Sequence, residues 1–179
     1  MRASDPSIRV EDAEGEEGLG HVRSLLRAFA AEYDPLVCLI FDVQGFAAEV
    51  AGLPGRYAPP SGCLLLARDG DTPVGCVAMR DLGGGTCEMK RLYVAPEHRG
   101  RRVGRFLVEE VVRKAERLGY RRMVLDTLPE MAGALALYRG QGFVEAARYW
   151  DHPTERAVFM EKPLGIEGTP HRSGRLDGR

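Results

Sequence analysis

The stretch LYVAPEHRGRRVG, residues 92–104, joins a strand-like tripeptide and a proline to three arginines and two glycines, and the amphipathic run FLVEEVVRKAERLGY (106–120) follows at once. Proline stops a strand because it has no N–H to give to a ladder. The periodic run behind it reads as a helix, and the first turn of a helix leaves N–H groups unpaired at the positive end of its dipole. Arginines added there raise the positive charge further. The guest that such a turn suits is an anion.

Working outward, SIRV (7–10) reads as a short strand. Leu19, Val22, Leu25, Leu26 and Phe29 recur at helical spacing, so a helix is expected from Glu16 to Tyr33, ended by Asp34-Pro35. A second helix is expected over Asp42 to Ala51, with Asp42 as its N-cap, before the loop LPGRYAPPSG (53–62). CLLLAR (63–68), the turn DGDT and VGCVAMRDL (74–82) form a hairpin, and CEMKRLYV (87–94) follows the glycines of GGGT. The helix after RGRRVG carries the apolar stripe Val103, Leu107, Val111, Ala115 and Leu118, with Gly119 as its C-terminal cap. RRMVLDT (121–127) is then a strand, MAGALALYRG (131–140) a helix, and FVEAARYW (143–150) and AVFMEKPL (157–164) the last two strands. The pattern is α/β (α+β). In such open sheets ligands bind at the carboxyl ends of strands, where this turn lies.

The chain has 179 residues, which fits one domain over 1–164 and a disordered tail over 165–179. No apolar run approaches the length of a membrane span and the polar start MRASDPSIRV has no signal core, so a cytoplasmic protein without membrane contact is expected. Cys38, Cys63, Cys76 and Cys87 are far apart and form no CxxC pair, which reads as reduced thiols. His21, His98 and His152 lack ligand spacing, and no metal is expected. Residues 99–122 hold nine arginines and lysines against three glutamates, whereas acidic residues dominate the first twenty. The chain's pI of about 6.4 speaks against a dedicated nucleic-acid footprint and for a small polyanionic ligand.

There is no GxxxxGK[ST] loop, and the close pair Gly140 and Gly142 follows a helix instead of opening one. The segment RGRRVG instead resembles the RxxGxG/A pyrophosphate loop of the GNAT superfamily of acyl-CoA-dependent N-acyltransferases, with Arg102 where a glycine is usual. Its company strengthens the likeness: LYVAPEHRG precedes it, and LYRGQGF (137–143) follows some forty residues on, like the family's LYxxxGF element. The likeness is strong from Cys63 to Leu164 and weaker across 8–60; EMKRLYV, QGF (44–46) and YAPP (57–60) resemble a bacterial branch.

The resemblance implies a GNAT fold, a mixed and mostly antiparallel sheet of six or seven strands flanked by about four helices. It implies transfer of acetyl from acetyl-CoA to a primary amine of a small molecule, amino acid or peptide, by direct attack in a ternary complex. It also places the pyrophosphate among Arg99, Gly100, Arg101, Arg102, Val103, Gly104 and Arg105, with Leu92 and Val94 offering backbone groups to the pantetheine and the thioester oxygen. Arg102 keeps the backbone N–H that holds phosphate, provided its position does not require positive φ. Tyr138 matches the tyrosine that donates to the departing sulfur; read from spacing alone, it is a core residue beside Ala134 and Leu135.

An alkyl ammonium is neutral in fewer than about one molecule in a thousand near pH 7, so a proton acceptor is needed. The resemblance makes Glu88 the candidate base, since it lies eleven residues before Arg99, where some members of the superfamily place a glutamate base, with strand parity matching Lys90, Leu92 and Val94; the alternative is a solvated carboxylate. For the acceptor, Arg80, Lys90 and Arg91 suit a carboxylate, while Asp34, Gln44, Glu49 and Tyr57 suit a cation, with Tyr149, Trp150 and Asp151 near the same pocket. A binding or regulatory module that holds acyl-CoA without transferring it is the runner-up. Pairing of FVEAARYW between two copies would give a homodimer.

Overall fold

The computed structural model describes residues 7–32 and 45–165. Seven strands form one sheet: β1 Ile8–Asp12, β2 Cys63–Asp69, β3 Thr72–Gly83, β4 Thr86–Val94, β5 Arg122–Thr127, β6 Val144–Glu145 and β7 Val158–Pro163. Four α-helices lie among the described residues: α1 Gly15–Ala31, α2 Phe46–Ala51, α3 Val103–Arg117 and α4 Ala132–Gly140. The spatial order is β1-β2-β3-β4-β5-β7-β6, and only β4 and β5 run parallel. A parallel pair needs a crossover, and α3 supplies it, so the turn quoted above sits at the top of a strand-helix-strand unit. The sheet and helices match the expected fold class.

Both faces of the sheet are covered, which is why β2 and β3 read as near-continuous apolar runs. Leu65, Val77, Met79 and Met89 pack with Val103, Leu107 and Val111 of α3 on one face. On the other, Leu66, Cys76 and Tyr93 pack with Val22, Leu26 and Phe29 of α1 and Phe46 of α2. Gly119 takes φ 83° and ends α3 as a paired cap, its own N–H bonding Glu116 O while Tyr120 N–H bonds Ala115 O.

Four local expectations are corrected. Leu118 is 42% exposed, because α3 ends at Arg117 and the stripe rotates away from the sheet there. Phe46–Ala51 is preceded by Gly45 at φ 70°, so the helix starts at Phe46; the expected cap Asp42, like Asp34-Pro35 and Gln44, lies outside the described residues. FVEAARYW is a strand only at Val144–Glu145: after Ala146 N–H bonds Phe159 O, the chain leaves β7 and its side chains turn toward the site. The last correction concerns β4. Lys90 pairs with Ala78 and Tyr93 with Cys76, so Arg91 and Leu92 together face the single residue Val77. Arg91 takes φ 60° at this bulge. The extra residue flips the alternation, leaving Leu92 and Val94 on the α3 face with Met89, and Glu88 on the opposite one. The parity linking Glu88 to Leu92 and Val94 is therefore broken.

Candidate active site

β4 pairs with β5 only over Thr86–Glu88, so beyond Glu88 that edge of β4 has no strand beside it. The gap widens into a cavity of about 600 Å3. Leu92 and Val94 line it from β4, Arg99, Gly100, Arg102, Val103, Gly104 and Arg105 from the loop and α3, and Met131, Ala134 and Leu137 from the α4 side. The sequence thus brought most of its candidate loop to one place. Arg101 is the exception: it bonds Asp69 at 2.5 Å, lies 3.2 Å from His98 and is not part of the lining.

The loop's backbone explains its chemistry. Gly100 takes φ 78° and Arg102 φ 65°, a left-handed pattern on either side of Arg101 of the kind that gathers N–H groups into an anion-binding concavity. Arg102 therefore does occupy positive φ, where glycine is the unstrained residue. Gly104 gives close approach: a Cβ there would lie 3.2 Å from Leu137 and 3.6 Å from Val94. Arg99 grips Glu32 of the α1 terminus through two contacts of 2.7 Å, and its Nε donates to Val94 O at 3.0 Å. Arg105 bonds Glu109 at 2.7 Å.

Tyr138 lies on α4, buried, its ring 6.0 Å from Phe143; its neighbours Ala134 and Leu137 line the cavity, and Tyr138 stands behind them. Glu88 is 0% exposed, which rules out the solvated carboxylate. Arg80 Nε bonds its Oε2, Lys90 Nζ lies 3.5 Å from Oε1, and Tyr149 O–H donates to Oε1 at 2.8 Å. Lys90 also bonds Asp126 at 3.0 Å, and His152 Nε2 lies 3.4 Å from the other Asp126 oxygen. Burial opposes ionisation of Asp126, but the His152 hydrogen bond and the Lys90 charge outweigh it and hold the carboxyl below its usual range. Burial, then the Asp126 and Glu88 charges, push the Tyr149 phenol up, so it stays a donor.

Reading the sequence missed Asp126 and His152. RRMVLDT gives Asp126 only as a strand residue, and His152 follows a segment read as strand; nothing in spacing joins them. On the same face, a smaller cavity of about 230 Å3 is lined by Glu49, Arg56, Arg80, Lys90, Arg91 and Trp150. Successive residues of β4, Lys90-Arg91 and Leu92, thus line two different cavities. Among the described residues no helix is long and apolar enough to cross a membrane, and no group of histidines, cysteines and acids is arranged to hold a metal.

Comparison with known proteins agrees with this geometry. Residues 26–143 match the family model described as Acetyltransferase (GNAT) family. An uncharacterized N-acetyltransferase of Schizosaccharomyces pombe is 46% identical over 119 residues, 65% of this chain and 73% of that protein. An IAA acetyltransferase of Azospirillum brasilense is 39% identical over 109 residues, 60% of this chain and 71% of that one. Among solved structures, a putative Salmonella typhimurium acetyltransferase with its cofactor acetyl-CoA shares the fold at a TM-score of 0.63 and 16% identity, covering 93% of this chain and 99% of its own. The Thermoplasma acidophilum PaiA N-acetyltransferase in complex with coenzyme A does so at 0.70 and 17%, covering 88% and 99%. The family match spans well over half the sequence and the fold neighbours span nearly all of it: this chain belongs to the GNAT family of acetyltransferases.

Proposed function

We propose that the chain transfers acetyl from acetyl-CoA to a primary amine by direct attack, with the cleft between β4 and β5 as the donor site. The observation that carries this is the cavity itself: an open strand edge at Leu92–Val94 runs into a left-handed, arginine-bearing turn at a helix opening. Those residues fit acetyl-CoA. The edge suits pantetheine amides, the turn suits the pyrophosphate, and Gly104 leaves the approach clear. When bound, acetyl-CoA supplies the thioester carbonyl that the amine attacks. Neither of the cavities requires a metal for this chemistry.

The residues divide the work. A backbone N–H of Leu92 or Val94 faces the carbonyl oxygen and stabilises the charge that develops there. Arg99, Arg102 and Arg105 surround the phosphates, with Gly100 and Val103 giving backbone groups; Arg101 fastens the loop to Asp69. Tyr138, next to the lining residues Ala134 and Leu137, is the residue we assign to the sulfur. A phenol giving its proton wholly to a thiolate goes uphill by about 2 kcal/mol, so Tyr138 helps by a hydrogen bond to the leaving sulfur. Glu88, buried behind Arg80 and Lys90, takes the amine proton through a water relay, and Tyr149 fixes its carboxylate.

The test is release of free CoA thiol across amines, with acetyl-CoA binding measured separately by calorimetry. Binding with amine-dependent release supports transfer. Binding without release from any amine, amino acid or peptide would make the chain an acyl-CoA-holding module.

A further inference from the structure

The smaller cavity has a composition that the donor site does not explain. Its lining presents four cations, Arg56, Arg80, Lys90 and Arg91, and one acid, Glu49. That acid is already engaged: Arg91 Nε bonds Glu49 Oε1 at 2.6 Å and Arg91 Nη2 lies 3.3 Å from Oε2. The acids that balance Arg80 and Lys90 lie beneath them, Glu88 fully buried and Asp126 nearly so. Arg56 pairs with no described residue. Trp150 adds a neutral donor, since its Nε1–H is buried and has no acceptor. A buried donor without a partner is costly, so an oxygen acceptor brought in by a ligand is favoured there. What the cavity shows to an incoming molecule is therefore mostly donors, with the charge of Arg56 left unbalanced among the described residues.

We infer that this cavity receives a carboxylate carried by the acceptor, so that the amine acetylated is that of a small amino acid. The inference rests on the acetyl-transfer reading above and adds the substrate class. It bears on the conflict left by the residue types: Glu49 and Arg91 neutralise each other, which leaves Arg56, Arg80 and Lys90 as the cations of the lining. Spacing agrees as well. Lys90 and Arg91 line this cavity while Leu92 lines the donor cavity, so the two cavities adjoin at neighbouring residues of β4. Adjoining cavities suit a molecule whose amine and carboxylate are a few bonds apart, an α-, β- or γ-amino acid, and the volume of about 230 Å3 accommodates one.

Two measurements test it. Thiol release is compared for β-alanine and β-alaninamide at equal concentrations of neutral amine, and for glycyl peptides, whose carboxylate lies farther off. In parallel, calorimetry with CoA present compares N-acetyl-β-alanine with N-acetyl-β-alaninamide. The expected result is a preference of at least about tenfold for the carboxylate in both, the size of one charge-assisted hydrogen bond. Arg56→Gln, at an exposed position, and Trp150→Phe, which removes only the N–H and two ring atoms, each shrink that ratio several-fold. Equal values for carboxylate and amide in the unmodified chain overturn the inference. Amines acetylated without carboxylate preference refute the cavity assignment alone. The carboxylate preferred in binding, with no thiol released from any amine, refutes acetyl transfer and leaves the cavity assignment standing.

Discussion

Replacing Arg102 separates two properties that the phosphate loop combines, backbone strain and charge. Arg102 sits at φ 65° and ψ 9°, immediately before α3, and lines the donor cavity. A non-glycine residue in that region carries about 1–2 kcal/mol of steric cost, whereas glycine carries none but loses about 0.5–1 kcal/mol more backbone entropy on folding. Arg102→Gly and Arg102→Ala both remove the guanidinium and every contact it makes, so the difference between them reports the backbone alone. The glycine variant should be the more stable by about 1 kcal/mol, roughly 2–4 °C in Tm for a chain of this size. Urea unfolding and a thermal scan measure this. Both variants should also bind CoA more weakly than the unmodified chain. An alanine variant as stable as the glycine variant would show that position 102 is not held left-handed and would refute the loop's geometry.

Other outcomes follow from the site. Tyr138→Phe should lower kcat about tenfold to a hundredfold while acetyl-CoA affinity changes little; an equal loss of both would refute the hydrogen bond to the leaving sulfur. CoA affinity should fall with salt, and more weakly so in Arg99→Gln and Arg102→Gln, while Arg101→Gln, which loses a contact to Asp69 and not to phosphate, should keep the original dependence. Asp126 is held below its ordinary value near 3.8, so its contribution is present above that pH and is lost as pH falls below it; Asp126→Asn should flatten the loss of stability below about pH 4 in urea titrations. Burial pushes the thiols of Cys63, Cys76 and Cys87 up to about 12, so at pH 8 iodoacetamide should leave all three unmodified in the folded protein, as peptide mass mapping would show.

Much of the fold could be read in the sequence because its signals are local. Proline after Val94, the helical period beyond RGRRVG and the hairpin at DGDT each act over a few residues, and the donor loop lies inside one strand-helix joint. The acceptor side could not be read that way. Its decisive event is the bulge at Arg91, where an ordinary arginine takes positive φ, held by Glu49 at 2.6 Å and by Phe46, whose ring centroid is 4.8 Å away. No glycine marks the position, so the alternation Glu88, Lys90, Leu92, Val94 looked continuous when it is not. The network joining Glu88, Tyr149, Asp126 and His152 draws on β4, β5 and the segment after β6, and its members become neighbours only when β5 and β7 pair. Trp150 was expected near the acceptor pocket and does line the smaller cavity, but its unpartnered Nε1–H could not be read from a segment taken as strand.

The measurement that bears most directly on the account is continuous assay of CoA thiol release from acetyl-CoA with β-alanine, coupled to mass spectrometry of the products. Saturable, amine-dependent release matched mole for mole by an N-acetylated product is expected. Acetyl-CoA that binds the chain yet yields no thiol above spontaneous hydrolysis with this or any other amine would contradict it.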